Sequence, residues 1–396
     1  MIFQASGSLT LTAAAIRPDH GRLLQPGWLH IENGRIVGCG QGLPHHLQPI
    51  TYLGNLFLTP GLLDAHVHLD LDPGSRPDMM ERVRLAAAYG LAGIRDGGDR
   101  CGRVLKYRPM IQDFLFLASP GVAMFAPGRY GAFLGRPVDG VEAMRQTVLE
   151  MARLGADHVK VLASGPVSLK EFGVVGPPQF TSDELAALSR LAHSRGLPLM
   201  VHANGPEAVS LAIKAEADSV EHGYFMGMEN LTKLADDHSA WIPTIQPLAS
   251  LLSRETSPQR RDILARTIDA QLEQLAAARA KGVRTVLGTD AGAPGLIIGP
   301  GLYQEMHWWR QAGYTTEEIL WAATAGPAAL MGRSRDLGRL VPGALAFVAG
   351  FHLASPISSG RPEPDLRQPP VFVGRPDLPH LLHPQGRLSQ ALQADR

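Results

Sequence analysis

This sequence predicts an α/β fold, a TIM-type (β/α)8 barrel with a small β-sandwich module formed by its N- and C-terminal segments. Three observations predict it. From residue 57, short apolar runs alternate with longer amphipathic segments, the pattern of repeated β/α units around a parallel sheet. Several of those runs end in a histidine, lysine or aspartate, and barrels of this kind gather their chemistry at the C-terminal ends of the strands. Both ends of the chain instead carry short β-type runs broken by turn residues. The expected division is 1–56 for the first part of the β-sandwich, 57–335 for the barrel, 336–376 for the second part of the β-sandwich, and 377–396 for a tail with no assigned role.

Each element has its own justification. LTLTAAAI and GWLHIENGRIVGCG read as strands of the first module, with Glu32-Asn33-Gly34 as a hairpin turn. Eight strands follow, at 57–68 (FLTPGLLDAHVH), 92–98 (AGIRDGG), 114–121 (FLFLASPG), 158–164 (HVKVLAS), 198–204 (PLMVHAN), 219–225 (SVEHGYF), 240–246 (AWIPTIQ) and 285–292 (TVLGTDAG). Helices are expected between several of them, among others at 139–154 and 181–195. The second opens on Thr181-Ser182-Asp183-Glu184, which supplies capping oxygens and early negative charge to a helix N-terminus. The stretch 301–331 reads as two helices, and 337–375 as a return to short strands that rejoin the first module.

Composition narrows the function. With 396 residues, 45% of them hydrophobic, the chain can bury a large core. Lysine plus arginine equals aspartate plus glutamate at 37 each, so no overall field draws nucleic acid or an anionic membrane; a small neutral or zwitterionic ligand fits better. Only Cys39 and Cys101 occur, against a disulfide-held secreted fold. The first residues show no signal-peptide pattern, and nowhere do about 20 apolar residues run together. A cytoplasmic enzyme of small molecules is expected, with self-association into a homo-oligomer left open.

The strand ends carry the chemistry. His66 and His68 lie two apart on one strand, which puts both imidazoles on one face where they can chelate a single ion. Lys160, His202, Glu221-His222 and Thr289-Asp290 fall at the corresponding ends of later strands. Singly, each is ordinary: a paired histidine at a rim, a snorkelling lysine, an aspartate in a turn. Their shared placement points to a metal site made of His66, His68, Lys160, His202, His222 and Asp290.

Taken together, PGLLDAHVHL at 60–69, GIRDGG at 93–98, GADHVKVLASG at 155–165, VHANG at 201–205, SVEHG at 219–223, GTDAGAPG at 288–295 and AATAGPAALMG at 322–332 resemble the amidohydrolase superfamily, in its imidazolonepropionase-like branch that includes metal-dependent dipeptidases. The resemblance covers nearly the whole chain. It implies a binuclear centre of two divalent ions, zinc foremost, with His66, His68 and Asp290 on one ion and His202 and His222 on the other. It also implies that Lys160 is carboxylated and bridges both. The reaction implied is hydrolysis of an amide or peptide-like C–N bond by a metal-activated bridging hydroxide, with Asp290 as proton shuttle, on a dipeptide or N-acyl amino acid. Two alternatives stand beside it: a mononuclear cyclic-amide hydrolase or deaminase of imidazolonepropionase type, and a catalytically silent binding barrel.

The chain departs from its relatives near the substrate. It reads His202-Ala203-Asn204 where they often have a third histidine or tyrosine, and Gly128-Arg129-Tyr130-Gly131 in place of a glycine-histidine-glycine turn. Gly165-Pro166-Val167 and Ala346-Phe347 also differ. Arg129, Tyr130, Asn204 and Tyr224 are the candidates for substrate contact, Arg129 as partner of a carboxylate. His380 and His383 in the tail are expected to be solvated.

Overall fold

The computed structural model describes residues 7–44, 47, 49–71, 79–293, 295–355 and 361–374; the expected tail and its two histidines lie outside them. The first strands are β1 (Ser8–Ala13), β2 (Ala15–Asp19), β3 (Arg22–Leu24), β4 (Gly27–Glu32), β5 (Arg35–Gln41), β6 (Ile50–Tyr52), β7 (Leu56–Pro60) and β8 (Leu62–Val67). Then come α1 (Met79–Ala88), β9 (Leu91–Asp96), α2 (Arg103–Ile111), β10 (Phe116–Ala118), β11 (Ala123–Phe125), β12 (Gly135–Pro137), α3 (Gly140–Arg153), β13 (Val159–Leu162), α4 (Ser182–Ser194), β14 (Leu199–Ala203), α5 (Gly205–Lys214), β15 (Ser219–His222), α6 (Gly227–Asp236) and β16 (Ala240–Ile242). The chain closes with α7 (Gln246–Arg254), α8 (Pro258–Lys281), α9 (Pro300–Gln311), α10 (Thr316–Ala322), α11 (Ala325–Leu330), β17 (Val348–His352) and β18 (Phe372–Gly374).

Four sheets result. A four-stranded sheet, β5-β4-β1-β6, is made of N-terminal strands alone, and a five-stranded one, β18-β17-β7-β2-β3, combines the two ends of the chain. Leu11, Ile16, Leu29, Ile36, Leu58, Val348 and Phe372, drawn from both, form one apolar cluster. The β4–β5 hairpin turns at Asn33 and Gly34, with φ of 49° and 73°, the left-handed pair that a two-residue hairpin needs. The other two sheets are parallel: β10-β9-β8, and β12-β11-β13-β14-β15-β16. They are consistent with a barrel, and the segment 284–291 bonds to an edge of each: Val286 N to Trp241 O beside β16, and Ala65 N to Leu287 O beside β8.

Three expected elements come out differently. The run 57–68 is two strands in two sheets, divided at Gly61, where no side chain fits: a Cβ would stand 2.7 Å from that of Ala92 and 3.0 Å from that of Phe347. The third run bends at Ser119-Pro120-Gly121, so β10 pairs with β9 while β11, unforeseen, pairs with β13. The last run, 285–292, is extended but forms only isolated bridges, Trp241 to Thr285 and Val67 to Ala291.

The helices follow their caps. Thr181 and Glu184 form the reciprocal capping box at the head of α4, and Thr315 and Glu318 repeat it for α10. Ser257 and Pro258 start α8, and Gly282, at φ 74°, ends it. Residues 301–331 hold three helices rather than two, since Thr324 leaves the helical region at φ −136° and ψ −84°. Leu199, Val201, Val220, Trp241 and Leu287 of the strands pack with Leu264, Leu275 and Trp309 of the helices in the main core. Among the described residues no helix is long and apolar enough to cross a membrane.

Candidate metal centre

Parallel register brings the polar strand ends together. Leu162 of β13 pairs with His202 of β14, and Ala203 pairs with His222 of β15. His66, His68, Lys160, His202, His222 and Asp290 all line one cavity of about 870 Å³. Ring centroids lie 4.5 Å apart for His202 and His222, 5.0 Å for His66 and His222, and 5.3 Å for His66 and His68. One carboxylate oxygen of Asp290 stands 3.2 Å from His68 Nε2 and 3.5 Å from His66 Nε2. Ligand atoms of this trio fall within 4.8 Å of one another.

The rings are held from behind. His68 Nδ1 lies 3.2 Å from Gly98 O, and His222 Nδ1 2.6 Å from the Thr244 hydroxyl, so each keeps Nε2 for the cavity. In His202 the orientation is reversed: Nε2 faces Gly165 O at 3.4 Å, which leaves Nδ1. His66 Nδ1 is 2.8 Å from a carboxylate oxygen of Glu221, whose other oxygen accepts from Ser219 Oγ and Arg95. Asp64 accepts from the backbone N–H of His66 and of Thr289, and from the Thr289 hydroxyl at 2.7 Å, tying the first strand end to the last. His222, Thr244 and Asp290 all have positive φ, at 68°, 46° and 55°. Such backbone costs about 1–3 kcal/mol per residue and clusters at functional sites.

Burial sets the protonation states. It pushes His66 down to about 4 and His202 down to about 3, with the Lys160 charge adding to both, so these two imidazoles are held neutral. Burial pushes Lys160 itself down to about 8. For Asp290 burial works upward, yet the surrounding imidazoles outweigh it and hold the carboxyl well below its usual range. His66 Nε2 and Lys160 Nζ are buried with no hydrogen-bond partner among the described residues. A cluster of imidazoles beside an ionised carboxylate is a donor set that divalent metal accepts, and these residues fit it.

The substrate candidates divide. Tyr130 lines the cavity, its ring 5.5 Å from that of His202. Asn204 is buried and its amide is committed, donating to Gly165 O and accepting from Tyr224 N. The Tyr224 hydroxyl donates to Thr244 O, and neither residue's side chain lines the cavity. Arg129 is exposed and lies outside the cavity lining; Arg82, on α1, lines it instead. Arg82, Phe133, Leu134, Ile297, Thr244 and Asp64 were not foreseen from the sequence. Asp64, two residues before His66 in the same run, was the one with a local signal.

The chain belongs to the amidohydrolase family, whose model matches residues 57–375. It is thereby a hydrolase acting on carbon–nitrogen bonds of small molecules, in a family that typically binds divalent metal. An uncharacterized protein of Mycobacterium tuberculosis is 27% identical over 292 residues, 70% of this chain and 75% of that protein. Ochratoxinase of Aspergillus niger is 29% identical over 224 residues, 56% of this chain and 46% of the enzyme. Imidazolonepropionase of Streptomyces coelicolor is 32% identical over 171 residues, 42% of this chain and 39% of the enzyme. Among solved structures, a Xaa-Pro dipeptidase with bound methionine superposes with a TM-score of 0.79 at 21% identity, covering 93% of this chain and 98% of that one. The A. niger ochratoxinase structure gives 0.78 at 21% identity over 96% and 98%. These two likenesses speak for the fold.

Proposed function

We propose that this protein is a binuclear metal-dependent amidohydrolase cleaving the amide bond of an N-acyl amino acid or dipeptide. The two parallel sheets are, on this reading, one (β/α)8 barrel that begins at β8 rather than at residue 57, with the two sheets of the chain ends, β7 included, forming its β-sandwich module. His66, His68 and Asp290 would hold one ion, His202 and His222 the other, with zinc the metal best suited to the donors. The observation that carries this reading is Lys160: a buried amine without a hydrogen-bond partner among the described residues, lining the same cavity as four imidazoles and a carboxylate. In its neutral form the amine can attack CO2, forming a carbamate and losing one proton. Two anionic oxygens then stand where an ammonium would repel cations.

Bound divalent ions supply Lewis acidity and water of lowered pKa. The residues supply the rest. Asp290, held ionised, accepts the proton of the attacking water and returns it to the leaving nitrogen. Thr244, Gly98 and Gly165 fix the imidazole tautomers, and Arg82, half-buried on the cavity wall with one guanidinium nitrogen donating to Leu69 O, is the candidate partner of a substrate carboxylate.

A mononuclear cyclic-amide hydrolase or deaminase is the second reading, favoured by the close trio His66, His68 and Asp290. Elemental analysis after mild metal loading separates them: two ions per chain support the first reading and one the second. A screen of N-acyl amino acids, dipeptides and cyclic amides with zinc- and manganese-loaded protein then tests the substrate.

A further inference from the structure

We infer that the substrate is an N-acyl amino acid whose acyl group is bulky and apolar, an aryl or long alkyl group, rather than a compact dipeptide; this rests on the hydrolase reading above. Away from the ligand cluster, the cavity is walled largely by apolar side chains from two segments, with Leu71 beside them: Tyr130, Phe133 and Leu134 in one, Leu296 and Ile297 in the other. Tyr130 and Phe133 meet edge to face at 5.4 Å, and Leu71 and Tyr130 pack on the cluster that contains Leu134. That side of the wall therefore rests on a small buried cluster of Ala123, Phe125, Leu134 and Leu162.

Two of its members are conspicuous. Phe133 is 44% exposed and Ile297 55% exposed, and among the described exposed large apolar side chains these are the ones that line the cavity. Apolar surface left open at the mouth of a site is surface a ligand can cover. The volume agrees: about 870 Å³ lies near the top of the range, about 300–1,000 Å³, of pockets that enclose drug-sized molecules, and a dipeptide of small residues would leave most of it to water. Leu71, Phe133, Leu134, Leu296 and Ile297 offer such a dipeptide no hydrogen bond from their side chains.

The test separates this inference from the hydrolase reading by measuring binding without turnover. N-alkyl amino acids, which lack the carbonyl and cannot be hydrolysed, are titrated calorimetrically into the purified protein as the alkyl group grows from methyl to octyl and to benzyl. Affinity is expected to rise about two- to fourfold per methylene until the wall is covered. Phe133→Ser and Ile297→Ser are expected to flatten that dependence, whereas Val141→Ser, an exposed apolar residue outside the cavity lining, leaves it as in the parent. In parallel, kcat/KM is measured for the N-acetyl to N-octanoyl and N-benzoyl series on metal-loaded protein. Affinity independent of chain length, or a dependence untouched by both wall substitutions, overturns the inference. A clear chain-length dependence in binding with no hydrolysis of any amide upholds the apolar ligand and overturns the hydrolase reading instead.

Discussion

The hydroxyl of Thr244 stands 2.6 Å from Nδ1 of His222, and it is held there by a backbone that a β-branched residue seldom adopts, with φ at 46°. The Tyr224 hydroxyl donates to the carbonyl of the same threonine and pins that conformation. One hydroxyl thus holds the ring nitrogen, and a second hydroxyl holds the residue that carries the first. Thr244→Val keeps the shape and removes the oxygen, so metal affinity should fall about 10- to 100-fold. Thr244→Ser should stay within a few-fold of the parent. Titration with a metal-competing chelator measures both.

Asp290 combines ligand and proton shuttle, and Asp290→Asn separates the two roles. The amide can still offer a carbonyl oxygen to an ion but cannot accept a proton at neutral pH. Turnover should drop by at least about 10²-fold with metal content preserved. Metal analysis and kcat on one preparation decide; full metal with turnover near the parent's would assign the proton to another group.

Carbamate formation at Lys160 should follow the free amine. Because burial brings the amine down to about 8, the neutral form predominates above that pH and declines about tenfold per pH unit below it. In metal-free protein, uptake of ¹³C-labelled CO2 seen by NMR should rise as pH climbs through about 8, and Lys160→Ala should abolish the signal. A short carboxylate should partly restore activity to the metal-loaded Lys160→Ala protein.

Arg82→Met should raise KM for a substrate bearing a carboxylate while changing it little for the matching carboxamide. The charge-assisted pair is expected to contribute about 1.5–3 kcal/mol, roughly 10- to 100-fold in KM. Arg129→Met is the comparison, and an effect from Arg129 alone would move the carboxylate to the rim loop.

Glu305 of α9 accepts from the N–H groups of Ile245 and Gln246 and from the Trp309 indole, and burial pushes it up to about 7. Its folded pKa lies above the unfolded value, so the native state binds the extra proton between about 4.5 and 7 and loses stability as pH rises through that window. Glu305→Gln removes this dependence. Denaturant unfolding of both proteins should show the parent's advantage shrinking from pH 4.5 to 7, by a few kcal/mol at most.

The candidate centre was largely legible in the sequence because a histidine, lysine or aspartate that ends an apolar run has few reasons to be there. His66, His68, Lys160, His202, His222 and Asp290 each break such a run, and the structure brings all six to one cavity. The supporting residues carry no such mark. Thr244 sits in AWIPTIQ as an ordinary strand threonine, and its role depends on a backbone angle. Asn204 looked like a substrate contact, since neither Gly165 O nor Tyr224 N, its actual partners, is near it in a one-dimensional reading. Arg82 was hidden because a helical arginine gives no sign of the cavity it borders. In the fold, the hairpin at Asn33-Gly34 and the box at Thr181 were readable from local chemistry, whereas the need for a glycine at 61, between the two strands, comes from Ala92 and Phe347, residues distant in sequence.

Asp64 and Thr289 are 225 residues apart in the chain, and their contact joins the first strand end to the last. On a ribosome this gives the two halves of the centre different birthdays. His202 and His222, on adjacent strands, can meet once the middle of the chain has emerged. His66 and His68 must wait, already made, for Asp290 to arrive from the far end, and the loop that has to close first carries the entropy of most of the protein. A nascent or truncated chain ending short of residue 289 would therefore carry histidines without a complete trap for metal, and tight metal capture would report that the last strand has come home.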